Sequence, residues 1–243
     1  MINLQKKKMK KILIASTSTV HGSGYLEYLL NVLEVHFKKA DTVLFIPYAC
    51  PGGISHQDYT KTVKTAFSKI NKNIKGIHEF DSPTEAIKSA QAIFTGGGNT
   101  FVLVNQLYKY NLISILKSKI ESGTPYFGTS AGSNICGLTI GTSNDMPIVY
   151  PPSFNTLGLI SFNINPHYLD PDPSSNHMGE TRETRIKEFH KFNSQPVVGL
   201  REGSYIEVRG PKIILLGPLK AKVFENNKKP YELETGTDLS YLN

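Results

Sequence analysis

The stretch YFGTSAGSNI, residues 126–135, places a hydroxyl between two glycines, with apolar residues on either side. A strand that ends, turns tightly and enters a helix would read this way. The same pattern, Gly128-Thr129-Ser130-Ala131-Gly132, fits the G-x-S-x-G elbow that holds a serine oxygen out of a strand-to-helix turn. The elbow is attractive chemically because the N-terminus of the following helix offers backbone N–H groups to a developing negative charge.

Working outward, short apolar runs alternate with helical spacing. Strands are expected at 11–16, 42–49, 74–80, 92–98 and 125–128. Helices are expected at 24–39, at 55–72 with Ser55 as cap, after Ser82-Pro83, and twice between 100 and 121. This order predicts an α/β fold, a mostly parallel sheet with helices on both faces. GGGNT and GTSAG both fall at strand ends, where such sheets gather their ligands. Beyond residue 140 the pattern changes to strand-like runs at 147–150, 158–164, 196–201, 204–208, 212–216 and 221–225, interrupted by one helix at 180–192. An antiparallel C-terminal extension is expected there. The organisation reads as a basic tail over 1–10 and a single α/β domain over 11–243.

The net charge of +7 is concentrated: five lysines lie in the first eleven residues, and without them 22 basic residues face 20 acidic ones. A tail is basic, not a face, so no nucleic-acid partner is expected. The apolar run ILIA after that tail is shorter than the ~7–15 residues of an export segment. No stretch reaches the ~20 apolar residues of a membrane span. The expected compartment is the cytoplasm, with no membrane partner. Cys50 and Cys136 have neither disulfide nor metal-ligand spacing, and are expected to be reduced and structural.

A serine needs a general base. His21, His36, His56, His78 and His190 stand in helix-like or loop contexts and take packing or surface roles. His167 follows LISFNINPH, where Asn165-Pro166 ends a strand, and so stands at a strand end as the serine does. His177, in a polar loop, is the second choice. Asp145 in TSNDMPIV and Glu202 in VVGLREGS are the candidate acids. Nothing in the residues ranks them; one could hold the imidazole while the other binds a substrate amine. GGGNTF lacks nucleotide-binding spacing, and an oxyanion donor beside Ser130 is the better use of its glycines.

Taken together, GGGNTF, GTSAGSNI, NDMPIV, NPH and GETRETRI resemble, in the same order, motifs of the peptidase E (aspartyl dipeptidase) family, whose relatives include cyanophycinase. The resemblance runs from the first strand to GLREGS. It implies a serine peptidase on a fold similar to class I glutamine amidotransferases (flavodoxin-like). It also implies Ser130 as nucleophile, His167 as base, and Asp145 and Glu202 as acidic partners. Gly98 and Ala131 would be the oxyanion donors, Asn99 and Arg182 would bind substrate, and no metal or organic cofactor is implied. The substrate would be a small peptide beginning with aspartate, held through its side-chain carboxylate by Arg182. Arg201 is a departure, since proline precedes the acid in the family pattern; pointing into the site, it would alter preference. A cyanophycinase-like hydrolase of β-Asp-Arg and a non-catalytic binding module on the same fold are the alternatives.

Overall fold

The computed structural model describes residues 9–172, 174, 176 and 178–243. Five parallel strands form its centre: β1 (Lys11–Ala15), β2 (Thr42–Ile46), β3 (Asn73–Gly76), β4 (Ile93–Thr95) and β5 (Tyr126–Thr129). Their order is β3-β2-β4-β5-β1, with β8 (Tyr205–Arg209) and β9 (Lys212–Leu216) added antiparallel beyond β1. The β3-β2-β4-β5 run has the flavodoxin-like order, entered one strand late because β1 takes the fifth place.

Alternation along each strand divides the core in two. Ile12, Ile14, Leu44, Ile46, Ile93 and Tyr126 face one side; Leu13, Val43, Phe45, Phe94 and Phe127 face the other. The second face is covered by α1 (Leu30–His36) and α2 (His56–Ser68). The first is covered by α3 (Pro83–Ser89), α4 (Thr100–Lys109), α5 (Ile113–Glu121) and the short α6 (Ala131–Asn134). Both expected caps form: Ser55 accepts from the Asp58 N–H, and Ser82 from that of Glu85.

A second sheet, in the order β11-β10-β7-β6, packs against the first face through Ile164, Val198, Leu200, Ala221 and Val223. Its strands are β6 (Asn163–Pro166), β7 (Val197–Leu200), β10 (Ala221–Phe224) and β11 (Tyr231–Leu233). The C-terminal region is therefore shared between two sheets, and it is not wholly antiparallel, because β6 and β7 run parallel. Helix α7 (Arg182–Phe189) lies on this sheet's outer face through Ile186.

Several expected bounds move. Residues 147–150 form no strand; Pro147, Pro151 and Pro152 bring no N–H, and Ile148 and Tyr150 are exposed. The run at 158–164 begins with Gly158 at φ 53°, so pairing starts only at Asn163. Strand β3 stops at Gly76 and turns into one 3₁₀ turn, and the expected helix over 24–39 is regular only from Leu30 to His36. The sequence reading left out β11. Of the basic tail, residues 1–8 lie outside the described region, while the Lys10 ammonium donates to the Leu159 carbonyl at 2.7 Å.

Candidate active site

Ser130 joins β5 to α6 with φ 51° and ψ −109°, a conformation that L-residues rarely adopt. Local sterics and hydrogen bonds enforce it. The Ser130 N–H extends the β1–β5 ladder to the Ala15 carbonyl at 3.1 Å, and the Ser133 hydroxyl lies 2.7 Å from both the Ala15 and Gly128 carbonyl oxygens. The flanking glycines are required by close approach. A Cβ on Gly128 would stand 2.3 Å from the Gly132 carbonyl oxygen, and one on Gly132 would stand 2.2 Å from that of Thr95. Cys136 fills the space beneath the elbow, fully buried and unbridged, and burial pushes its thiol pKa up. Cys50 is also unbridged.

His167 arrives from the other sheet. In the parallel β6–β7 register Pro166 faces Leu200, and Tyr168 N–H donates to the Leu200 carbonyl at 3.1 Å. His167 is squeezed out between them at φ 53°. Its Nε2 lies 2.9 Å from Ser130 Oγ and its Nδ1 lies 2.6 Å from Glu202 Oε1. An ionised carboxylate only accepts, so Nδ1 carries the proton and Nε2 is free to accept from the serine hydroxyl. Serine, imidazole and carboxylate thus form one hydrogen-bonded chain.

Asp145 stands apart from that chain. Its Oδ2 accepts from the Thr100 N–H at the start of α4 (2.7 Å) and from the Ser143 hydroxyl (3.1 Å), a favourable place for an anion. Asn99 caps the same helix by accepting from the Val102 N–H at 3.1 Å, and its amide donates to the Met146 carbonyl at 2.9 Å. It is a strut for the Asp145 loop, with one amide N–H left over. Gly98, at φ 134°, approaches so closely that a Cβ would meet the Ala49 carbonyl oxygen at 2.4 Å. Among the described residues neither the Gly98 nor the Ala131 N–H finds an acceptor.

Arg182 is the first residue of α7, half-buried, and among the described residues its guanidinium has no carboxylate or hydrogen-bond partner. Burial, and then the neighbouring Arg185, hold its pKa below the usual arginine value, while Asp145 and Glu202 pull the other way. Both carboxylates therefore lie close enough for their charges to act on Arg182. Arg185 is exposed. Arg201 does not point into the site; it is taken up by Asp170 and Glu232. His177 lies outside the described residues.

Two working residues were missed in the sequence. Buried Ser16 donates to the Leu200 carbonyl at 2.7 Å and accepts the His167 N–H at 2.9 Å, pinning the imidazole's backbone to the end of β1. Asn144 donates to the Pro166 carbonyl at 2.7 Å and accepts from Asn165 at 2.8 Å, tying the Asp145 loop to β6. The position of STST after the first strand could have flagged Ser16, and Asn144 opens the NDMPIV motif.

An elbow serine beside an imidazole at the end of a parallel sheet marks a class of hydrolytic α/β enzymes. The comparisons with known proteins give the particular family. The family model described as "Peptidase family S51" matches residues 12–216. The chain belongs to peptidase family S51, and it is a serine-type peptidase. It is 46% identical over 236 residues to a "Probable alpha-aspartyl dipeptidase" of Drosophila melanogaster, covering 96% of this chain and 97% of that protein. It is 45% identical over 231 residues to "Peptidase E" of Streptomyces coelicolor, covering 95% and 94%. Among solved structures, a peptidase from an acI-B1 Actinobacterium shares the fold at TM-score 0.73 and 15% identity, over 96% of this chain and 97% of that one. A putative peptidase E protein from Listeria monocytogenes EGD-e matches at TM-score 0.66 and 20% identity, over 87% and 100%. Among the described residues no helix is long and apolar enough to cross a membrane, and no three His, Cys, Asp or Glu side chains are grouped to hold a metal ion.

Proposed function

We propose that this protein hydrolyses dipeptides whose first residue is aspartate, through an acyl-enzyme on Ser130. The observation that carries the substrate assignment is Arg182, a half-buried cation with no carboxylate partner among the described residues, close enough to Glu202 of the Ser130–His167–Glu202 chain to feel its charge. A guanidinium can hold a carboxylate with two parallel hydrogen bonds, and a buried one without a partner favours binding an anion. The β-Asp-Arg reading would instead need an acidic pocket for an arginine side chain, where Arg182 and Arg185 stand. The names of the relatives in Drosophila and Streptomyces support the same assignment.

In this reading the Asp side chain pairs with Arg182, and Asp145, fixed at the α4 N-terminus, faces the substrate's α-ammonium. Asn99 acts through the Asp145 loop that it braces. Ser130 Oγ attacks the carbonyl carbon of the first residue as His167 Nε2 takes the hydroxyl proton, and Glu202 stabilises the imidazolium. The N–H groups of Ala131 and Gly98 accommodate the oxyanion. Collapse of the tetrahedral species breaks the peptide C–N bond, and the leaving amine takes the proton from His167. Water, deprotonated by the same imidazole, then releases aspartate.

A panel of Asp-Xaa, Asn-Xaa, Glu-Xaa and β-Asp-Xaa dipeptides tests the reading, with Ser130→Ala as control. Asp-Xaa should be the preferred series, and the variant should lose ~10³-fold or more in turnover while remaining folded. Equal turnover of Asp-Xaa and Asn-Xaa, or an undiminished Ser130→Ala, would sink it.

A further inference from the structure

The charges flanking these groups form a network of their own. All five guanidinium N–H groups of Arg201 are engaged. Nε and Nη2 donate to Asp170 Oδ2 at 3.0 and 2.7 Å, and Nη1 and Nη2 donate to the two Glu232 oxygens at 2.8 Å each. Nη1 also donates to the Lys220 carbonyl at 2.8 Å, and the guanidinium stands 5.5 Å over the Tyr168 ring. Lys222 continues the chain of charges, with its ammonium 3.6 Å from Asp170 Oδ1 and 2.8 Å from Glu183 Oε2. The two cations at its centre are mostly covered, with side-chain exposures of 16% for Arg201 and 19% for Lys222. Exposed single pairs contribute little, but saturated and covered ones impose geometry.

The members of this network sit beside the working residues in the chain. Arg201 immediately precedes Glu202, Glu183 immediately follows Arg182, and Asp170 comes three residues after His167. The Glu202 carboxylate meanwhile needs outside support. Nearly half of the side chain is exposed (47%), its hydrogen bond is to His167, and Gly203 follows at φ 88°. Among the described residues no other group holds that carboxylate, so its place is set by the backbone that Arg201 anchors.

We infer that Arg201 and Lys222 are positioning residues for the reaction: Arg201 sets the His167–Glu202 geometry, and Lys222 sets the reach of Arg182. Arg201 joins the segment after His167 to the end of β7 and to β10 and β11. Lys222 joins that same segment to the start of α7. The two functions are separable, because one lies on the proton-transfer side and the other on the substrate-recognition side. The inference rests on the proposed function for its Lys222 half, and only on the serine chemistry for its Arg201 half.

The test uses the full chain and the variants Arg201→Met, Arg201→Lys and Lys222→Met. It measures kcat and KM on Asp-Xaa and Asn-Xaa, the rate of Ser130 labelling by a small fluorophosphonate, and the melting temperature. Arg201→Met should lower kcat and the labelling rate by about tenfold, as a small misplacement of reacting groups does, with the Asp-over-Asn ratio kept. Arg201→Lys should recover part of that loss. Lys222→Met should leave labelling within about twofold, raise KM for Asp-Xaa and shrink the Asp-over-Asn ratio by roughly two- to thirtyfold. Folded Arg201→Met that labels at the wild-type rate overturns the Arg201 assignment, and Lys222→Met with an unchanged ratio overturns that of Lys222. Parallel losses in every readout, tracking the melting temperature, reduce the network to a structural one. Should wild type not prefer Asp over Asn, the substrate reading and the Lys222 assignment fall together, while labelling still decides the role of Arg201. A wild-type serine that does not label removes the nucleophile and the Arg201 assignment with it.

Discussion

Ser130 stands at the end of the parallel sheet between two glycines whose missing side chains leave room for the Gly132 and Thr95 carbonyls. Glu202, by contrast, extends from the small sheet with about half of its side chain in solvent. Ser130 is held by backbone sterics and by a ladder bond to β1. His167 and Glu202 are placed by the register of β6 on β7 and by Ser16, in a segment laced with ion pairs around Arg201. One region is over-determined by backbone packed on backbone, the elbow lying against Ala15 and Thr95. The other depends on contacts between segments thirty or more residues apart, and side-chain charge takes the place of steric exclusion.

The largest expected effect comes from the less constrained region. Glu202→Gln keeps the shape but replaces an obligate acceptor with an amide that can present N–H to the imidazole, favouring the wrong tautomer. Turnover should fall ~10³-fold with KM little changed. Asp145→Asn should do the reverse, raising KM and affecting the shortest substrates most, because Asp145 bonds Thr100 and Ser143 instead of His167. Steady-state kinetics on both variants would swap the two roles if the pattern came out inverted.

Next in size is a blow at the steric region. Gly132→Ala puts a methyl where the Thr95 carbonyl oxygen lies at 2.2 Å, so backbone must move. Overpacking of this kind typically costs ~1–3 kcal/mol, and a displaced elbow should lose ~10²-fold in turnover. A variant that melts and turns over like wild type would show that the elbow is not sterically locked.

Arg182→Met follows. It keeps much of the side chain's length while removing the charge, and a lost charge-assisted hydrogen bond is worth ~1.5–3 kcal/mol, or roughly tenfold to more than a hundredfold. Asp-Xaa hydrolysis should fall by that factor and the Asp-over-Asn gap should narrow. An intact ratio would move the recognition site elsewhere, with exposed Arg185 as the next candidate, since Arg201 is already paired.

This division also explains what could be read from the chain alone. The elbow, the five parallel strands and the two caps depend on residues close together in sequence, and their signals are local. His167 could be picked out because a proline ends its strand. The choice between Asp145 and Glu202 could not be made, since it follows from which strand lies beside β6 and in what register. Parallel pairing of β6 with β7 is invisible to local pattern for the same reason, and so is the capture of Arg201 by Asp170 and Glu232. The run at 147–150 misled because an apolar composition was read without its prolines.

The smallest effect separates how the two regions respond to acid. His36, at the end of α1 beneath the parallel sheet, is 4% exposed; its Nε2 lies 3.0 Å from the Tyr126 carbonyl and its Nδ1 has no partner among the described residues. A carbonyl only accepts, so Nε2 carries the proton and the ring is neutral. Burial above all, with Arg209 adding to it, lowers the His36 pKa to about 3. The unfolded chain would protonate it near 6.5, so the unfolded state binds more protons between those values and stability falls as pH falls through that window. From pH 7 to pH 5 this one ring should cost about 2 kcal/mol of folding stability. His36→Gln keeps a donor for the Tyr126 carbonyl and removes the titration. Denaturant unfolding of both proteins at pH 7 and pH 5 should show the wild type losing that increment relative to the variant. Equal acid sensitivity in the two would mean that His36 takes up its proton in the folded state, and that the parallel sheet is less tightly closed at the Tyr126 end of β5 than its packing indicates.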